Sequence, residues 1–280
     1  MKPLIPPRLR KKIAPGNPIE KQFVPSDQEK LPMAGFSCNP VGDDEAKLTP
    51  RLLKKYHGRC LLLTTSACAM HCRYCFRQHF DYDRGSSDFS EELQAIRNDP
   101  TLREIILSGG DPLSLSNNRL SKLIGALDSI DHLKLLRFHT RYPIGIPERI
   151  DDDFLNLLAN TRLQVWFVIH ANCALELDVD VAAALKKIAR LGIPLLNQSV
   201  LLKGVNDNKT ALRSLSERLI EIGIRPYYLH QLDRVAGGAH FEVDPARGLE
   251  LMEGLRRSLP GYAVPSYVRE EAGKPNKSTI

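Results

Sequence analysis

From residue 59 onward the chain alternates short apolar, β-branched runs with longer amphipathic stretches, and that alternation limits the fold more than any other feature. The runs Arg59–Thr65, Glu104–Ser108, Leu133–Phe138, Leu163–Ile169, Ile193–Leu202 and Arg225–His230 read as strands. Their starts lie about 30 to 45 residues apart, which leaves room for one helix in each gap. Ser90–Asn98, Leu120–Ser129, Asp151–Ala159, Val179–Leu191 and Lys209–Ile222 fill the gaps, and Pro245–Leu259 follows the last strand. In Val179–Leu191 the apolar residues Val181, Ala184, Leu185, Ile188 and Leu191 share one helical face. Asp151, Asp178 and Asp244 stand at N-cap positions, and Gly192 and Gly223 stand where helices should stop. Successive βα units predict an α/β fold, a parallel sheet curled into a partial (β/α)6 barrel. Residues 1–58, with many prolines and mixed charge, predict a wrapping segment with one or two short helices. Residues 59–259 then form the barrel and 260–280 a short C-terminal tail.

In parallel α/β architectures the working residues gather at the C-terminal ends of the strands. Polar residues recur there: Cys68 to Cys75, then Gly109, Gly110 and Asp111, then His139 and Arg141. His170 and Asn172 follow the fourth strand, Asn197 and Gln198 lie in the fifth, and His230 to Asp233 close the sixth. Six polar strand ends in a row predict one shared site.

The most specific of them is the trio Cys68, Cys72 and Cys75. At spacings of four and three, these thiols fit a loop that turns sulfur toward one point, and thiolates are the usual ligands of iron–sulfur clusters. Three ligands on a four-iron core leave one iron free for a small molecule. A closed zinc site needs four ligands, and His71 or His79 stands as the alternative fourth. The remaining cysteines, Cys38, Cys60 and Cys173, read as bystanders, with no disulfide expected.

The formal charge of +6 invites a nucleic-acid reading, but much of it sits in Lys2, Arg8, Arg10, Lys11 and Lys12 with no aromatic-interleaved stripe. That pattern predicts a solvated basic arm and no direct nucleic-acid binding. No apolar run approaches the roughly 20 residues that cross a bilayer, and no signal-peptide core opens the chain. The expectation is a cytoplasmic protein without membrane contact.

With Tyr74 in its last gap and Phe76 after it, the cysteine loop resembles that of the radical S-adenosylmethionine superfamily, in which the open iron binds that cofactor. Ser108-Gly109-Gly110-Asp111-Pro112 resembles the superfamily's glycine-rich motif. The tail Gly273-Lys274-Pro275-Asn276-Lys277-Ser278-Thr279 resembles the end of the lysine 2,3-aminomutase family. So do Lys55-Tyr56-His57-Gly58-Arg59, Leu196-Asn197-Gln198-Ser199-Val200-Leu201-Leu202, Gly204-Val205-Asn206-Asp207-Asn208 and Pro226-Tyr227-Tyr228-Leu229-His230. The likeness is greatest to the branch that makes β-lysine for modifying elongation factor P.

What the resemblance implies is specific. A [4Fe-4S] cluster would sit on Cys68, Cys72 and Cys75, and S-adenosylmethionine against Ser108, Gly109, Gly110, Asp111, His170 and Gln198. Pyridoxal 5′-phosphate would be held by Lys277 as a Schiff base, with Lys274 as competitor, and its phosphate by Arg59. Arg77 would meet the carboxylate of L-lysine and Asp233 an amino group, a charge distribution that a diamino acid requires. Implied partners are a flavodoxin- or ferredoxin-type reductant, elongation factor P and its lysyl ligase. The product would be β-lysine, the R enantiomer. Glu270 stands where catabolic relatives have aspartate, and the stretch after His170 lacks a histidine and an asparagine seen in relatives. Rival readings are a mutase of another amino acid and a cluster or zinc protein that binds without catalysis.

Overall fold

In the computed structural model, which describes residues 3–82 and 88–280, the expected strands form the middle of a ten-stranded sheet ordered β1 to β10 along the chain. Two short helices, α1 (Pro7–Arg10) and α2 (Pro18–Phe23), precede β1 (Lys47–Thr49) and β2 (Leu52–Tyr56). Then come β3 (Arg59–Leu63), α3 (Ser90–Asn98), β4 (Glu104–Ser108), α4 (Asn117–Asp128), β5 (Leu135–Thr140), α5 (Tyr142–Gly145) and α6 (Asp152–Asn160). The chain continues through β6 (Gln164–Ile169), α7 (Val179–Ala189), β7 (Leu195–Val200), α8 (Lys209–Glu221), β8 (Arg225–His230) and α9 (Pro245–Arg256). It ends with β9 (Ser266–Arg269) and β10 (Ser278–Thr279). Strands β3 to β9 run parallel to their neighbours, while β1, β2 and β10 are antiparallel additions at the two edges.

The edge strands are absent from the sequence reading. Leu52 to Tyr56 is a single apolar pair followed by two lysines and a tyrosine, too charged to announce a strand. Pairing supplies what propensity lacks: β2 folds onto β3 across His57-Gly58, where Gly58 takes φ +73°. Within the expected set the boundaries shift little. The third strand runs on to Thr140, which brings His139 inside β5.

Local chemistry explains the helices. Asp151 Oδ1 accepts from Phe154 N at 2.7 Å, Asp178 Oδ1 from Val181 N at 3.1 Å and Asp244 Oδ1 from Ala246 N at 2.8 Å, each satisfying an amide that the first turn leaves unpaired. Gly192 and Gly223, at φ +75° and +79°, end α7 and α8.

The core lies between the helices and the outer face of the sheet. Phe138, Phe154 and Phe167 meet there edge to face or stacked, with ring centroids 5.8 to 6.4 Å apart. A second apolar group, with Leu229, Leu251, Met252, Leu255 and Tyr267, fastens α9 and β9 to the end of the sheet. On the inner face β5 alternates: Leu136, Phe138 and Thr140 are buried toward the helices, and Leu135, Arg137 and His139 take the other side.

The basic arm departs from expectation. Arg8 pairs with Asp178 at 2.6 Å and also with Asp180, and Lys12 reaches Asp178 at 2.5 Å, so the arm is docked on the start of α7. Lys2 lies outside the described residues. No helix among the described residues is long and apolar enough to cross a membrane.

Candidate active site at the barrel mouth

The cysteine loop follows β3 and rests on the loop after β4. Gly110 N donates to Thr65 O at 2.6 Å and Asp111 N to Ala67 O at 2.8 Å. At Gly109, with φ +120°, an added Cβ would lie 2.6 Å from Thr65 O, and at Gly110 it would collide with the Ala67 carbonyl. Only glycine lets the two backbones approach so closely. The visible work of these glycines is to seat the cysteine loop. Asp111 is likewise fully engaged: Oδ1 accepts from Thr140 Oγ1 at 2.7 Å and Leu113 N at 3.0 Å, and Oδ2 accepts from Arg141 N at 2.7 Å. Burial lifts its carboxyl to about 6. It ties the ends of β4 and β5 together.

The three thiols lie within electrostatic range of one another. Burial and then the charge of Cys72 push Cys75 up to about 11, and burial, Asp111, Cys75 and Cys72 push Cys68 further. Crowded, buried thiolates need a compensating cation, which an iron–sulfur core supplies. Among the described residues no three His, Cys, Asp or Glu side chains close to the spacing of a single ion. Three thiols carried by one loop are the donor type that iron–sulfur clusters take.

His170 joins this loop through Tyr74. Its Nε2 lies 3.0 Å from the Tyr74 hydroxyl, and the two rings stack at 5.8 Å. Gln198 sits between two histidines, with Nε2 3.4 Å from His139 Nδ1 and Oε1 3.4 Å from His230 Nε2. Burial, then Arg137 and Lys277, hold His139 well below the ordinary histidine range, and burial, then Lys277, bring His230 down to about 3. Both imidazoles are neutral at pH 7. The buried Nε2 of His139 has no hydrogen-bond partner among the described residues, so this imidazole carries polar capacity that the protein itself leaves unused.

Across the cavity the two edges of the sheet meet through polar side chains. Lys277, just before β10, pairs with Glu270, just after β9. Lys55 of β2 reaches Glu270 at 3.5 Å and Asp43 at 2.6 Å, and Asp43 Oδ2 accepts from Arg77 Nε at 2.7 Å. An alternating run of charge therefore links Arg77, Asp43, Lys55, Glu270 and Lys277. Burial alone would raise the Asp43 and Glu270 carboxyls, but the surrounding cations outweigh it and hold both below the usual range. Asp233 has no such direct ion pair among the described residues: burial lifts it to about 7, with Lys277 and Lys55 opposing and Glu270 adding to the rise. A second Arg77 bond, Nη1 to Ser108 Oγ at 3.3 Å, places that guanidinium against the end of β4.

Of the residues singled out from sequence, the structure joins Arg77 and Lys277 through this seam and sets Asp233 within range of Lys277. It joins His170 to the cysteine loop and puts Gln198 between the strand-end histidines. Arg59 stands apart, at the start of β3, with its guanidinium 4.9 Å from the Tyr56 ring. Tyr56 lies in turn beside Glu270 and 6.0 Å from the Lys277 amine, so the ring bridges Arg59 to the tail. Lys274 is exposed. Sequence reasoning passed over Asp43, which reads as one acid in a mixed-charge stretch, and used Lys55 and Tyr56 only as parts of a motif. It also missed the roles of Gln22, Arg141 and Glu176, for which no local pattern exists.

A family described as a 4Fe-4S single cluster domain matches residues 57–142, from the β2–β3 turn to the start of α5. An L-lysine 2,3-aminomutase of Haemophilus influenzae is 42% identical over 280 residues, covering 98% of this chain and 83% of that one. One from Escherichia coli is 41% identical, with 95% and 78% covered, and one from Clostridium subterminale is 36% identical, with 95% and 65% covered. Among solved structures, a radical SAM methyltransferase from Sphaerobacter thermophilus aligns with a TM-score of 0.57 at 16% identity, covering 78% of this chain and 68% of that one. The protein anSMEcpe, solved with AdoMet and a peptide, aligns at 0.54 and 14% identity, covering 70% and 58%. At these identities the structural likeness establishes the radical SAM fold and nothing finer.

Proposed function

This chain belongs to the L-lysine 2,3-aminomutase family, and from that membership we propose that it moves the amino group of L-lysine from C2 to C3, giving (R)-β-lysine. One observation carries the reading beyond similarity. The tail returns Lys277 to the opposite edge of the sheet, where its amine pairs with Glu270, which Lys55 of β2 reaches at 3.5 Å.

Cys68, Cys72 and Cys75 would hold a [4Fe-4S] cluster, with S-adenosylmethionine against the glycine-rich loop, His170 and Gln198. Lys277 would hold pyridoxal 5′-phosphate, with Arg59 toward its phosphate. Bound there, these groups supply hydrogen abstraction and stabilisation of an unpaired electron. The chain does the rest. Arg77 carries five N–H donors, of which the bonds to Asp43 and Ser108 use two, so its fork can also grip the substrate carboxylate. Asp233 offers a carboxylate to the distal ammonium. Glu270 holds the Lys277 amine at the seam and is the acceptor nearest its proton. Neutral His139 and His230 donate or accept hydrogen bonds without adding charge. A mouth closed over the substrate would keep water from a reactive intermediate.

Acids at the distal end favour a diamino acid over an acidic one, because a glutamate substrate would face Asp233 unpaired. The likeness to the β-lysine-making branch supports a product destined for elongation factor P through its lysyl ligase, with a flavodoxin- or ferredoxin-type protein as reductant. The test is anaerobic incubation of the reconstituted chain with L-lysine, S-adenosylmethionine and dithionite, followed by chiral product analysis. (R)-β-Lysine is the expected product. No β-amino acid from a chain with an intact cluster and pyridoxal 5′-phosphate supplied would refute the proposal.

A further inference from the structure

Cys72 differs from Cys75 in what donates to it. Arg141 Nη1 lies 2.8 Å from Cys72 Sγ, whereas Cys75 receives the backbone N–H of Arg77. The guanidinium is fixed on its far side as well. Arg141 Nη2 donates to Glu176 Oε2 at 2.5 Å and to Gln22 Oε1 at 2.7 Å, and the Phe23 ring covers it at 4.7 Å. Nη1 also meets the Tyr74 hydroxyl. Each anchor is itself anchored. Glu176 Oε1 accepts from the amides of Asn172 at 2.8 Å and Cys173 at 3.0 Å, and from Gln22 Nε2 at 3.2 Å.

Gln22 and Glu176 are completely buried and Arg141 nearly so. In such low-dielectric surroundings a satisfied network is rigid, and losing one member leaves the others unpaired. Arg141 and Glu176 together carry no net charge, so what reaches the loop is an oriented donor aimed at one sulfur.

We propose that Arg141, locked by Glu176 and by Gln22 of α2, is a positioning residue that raises the reduction potential of the cluster through Cys72. The proposal rests on the cluster reading above. An N–H donor withdraws electron density from the ligating sulfur and stabilises the extra negative charge of the reduced core. The N-terminal segment is then part of the redox site, since α2 supplies a residue that holds the donor in place.

The test is an EPR-monitored redox titration of the anaerobically reconstituted full chain without S-adenosylmethionine, with iron and sulfide measured per chain. Arg141→Gln and Gln22→Leu are each expected to shift the midpoint to a more negative potential at wild-type iron content, with the smaller shift in Gln22→Leu. Arg141→Lys, which keeps the charge, should recover part of the loss. Unchanged potentials at equal iron content would overturn the proposal while leaving the cluster reading intact. If Arg141→Gln assembles no cluster, Gln22→Leu decides on the same criterion. A wild-type chain that takes up no four-iron cluster would overturn both.

Discussion

Asp233 is the residue whose protonation the site should report. Burial raises its carboxyl to about 7 in the folded chain, against about 3.9 for an unperturbed aspartate. Between those values the folded state binds one proton more than the unfolded state, so Asp233 lowers stability as pH climbs toward 7. Asp233→Asn lacks this dependence. Thermal melts of the two chains from pH 4 to 8 should therefore diverge, with the wild type losing ground to the variant until about pH 7; parallel curves would refute the burial. Lysine binding should show the opposite trend, tightening as Asp233 ionises. Asp43 tests the seam in another way. It holds Arg77 at 2.7 Å and Lys55 at 2.6 Å with 2% of its surface exposed. Breaking a buried pair by removing one partner costs about 3–5 kcal/mol. Asp43→Asn should lose stability on that scale in urea denaturation, and a loss within the range of an exposed pair would contradict the network.

At the scale of elements, the glycine-rich loop and the edge strands show where sequence reading succeeds and where it stops. The strands β3 to β8 and their helices were legible because burial on one or both faces writes a period into the sequence. The two edges were not. Strands β2 and β10 are short and polar, their pairing comes from neighbours distant in sequence, and the polar residues they bring together have no local signature. The three cysteines and Lys277 were singled out by motif, while Arg141 and Gln22 come together only in three dimensions. Gly110 was legible as a loop glycine, but its physical reason is the Ala67 carbonyl against which it packs. That obstacle is backbone and cannot rotate away. Gly110→Ala should displace the cysteine loop and reduce iron uptake on reconstitution several-fold, with far-UV circular dichroism unchanged. Full iron loading in the variant would show that the two loops need not touch.

For the whole molecule, the sheet is an open barrel whose missing side is bridged by charge. Lys55 and Tyr56 from one edge face Glu270 and Lys277 from the other, while the cysteine loop caps the C-terminal ends of the strands between them. If the three thiols and the seam serve one site, a hydrogen taken from lysine at the seam would pass to the nucleoside held at the loop. Lysine deuterated at C3 tests this most directly, in an anaerobic incubation of the reconstituted chain with S-adenosylmethionine, pyridoxal 5′-phosphate and dithionite as the electron source. Mass spectrometry should find deuterium in 5′-deoxyadenosine as well as in β-lysine. Nucleoside formed at the normal rate but free of deuterium would contradict the shared site.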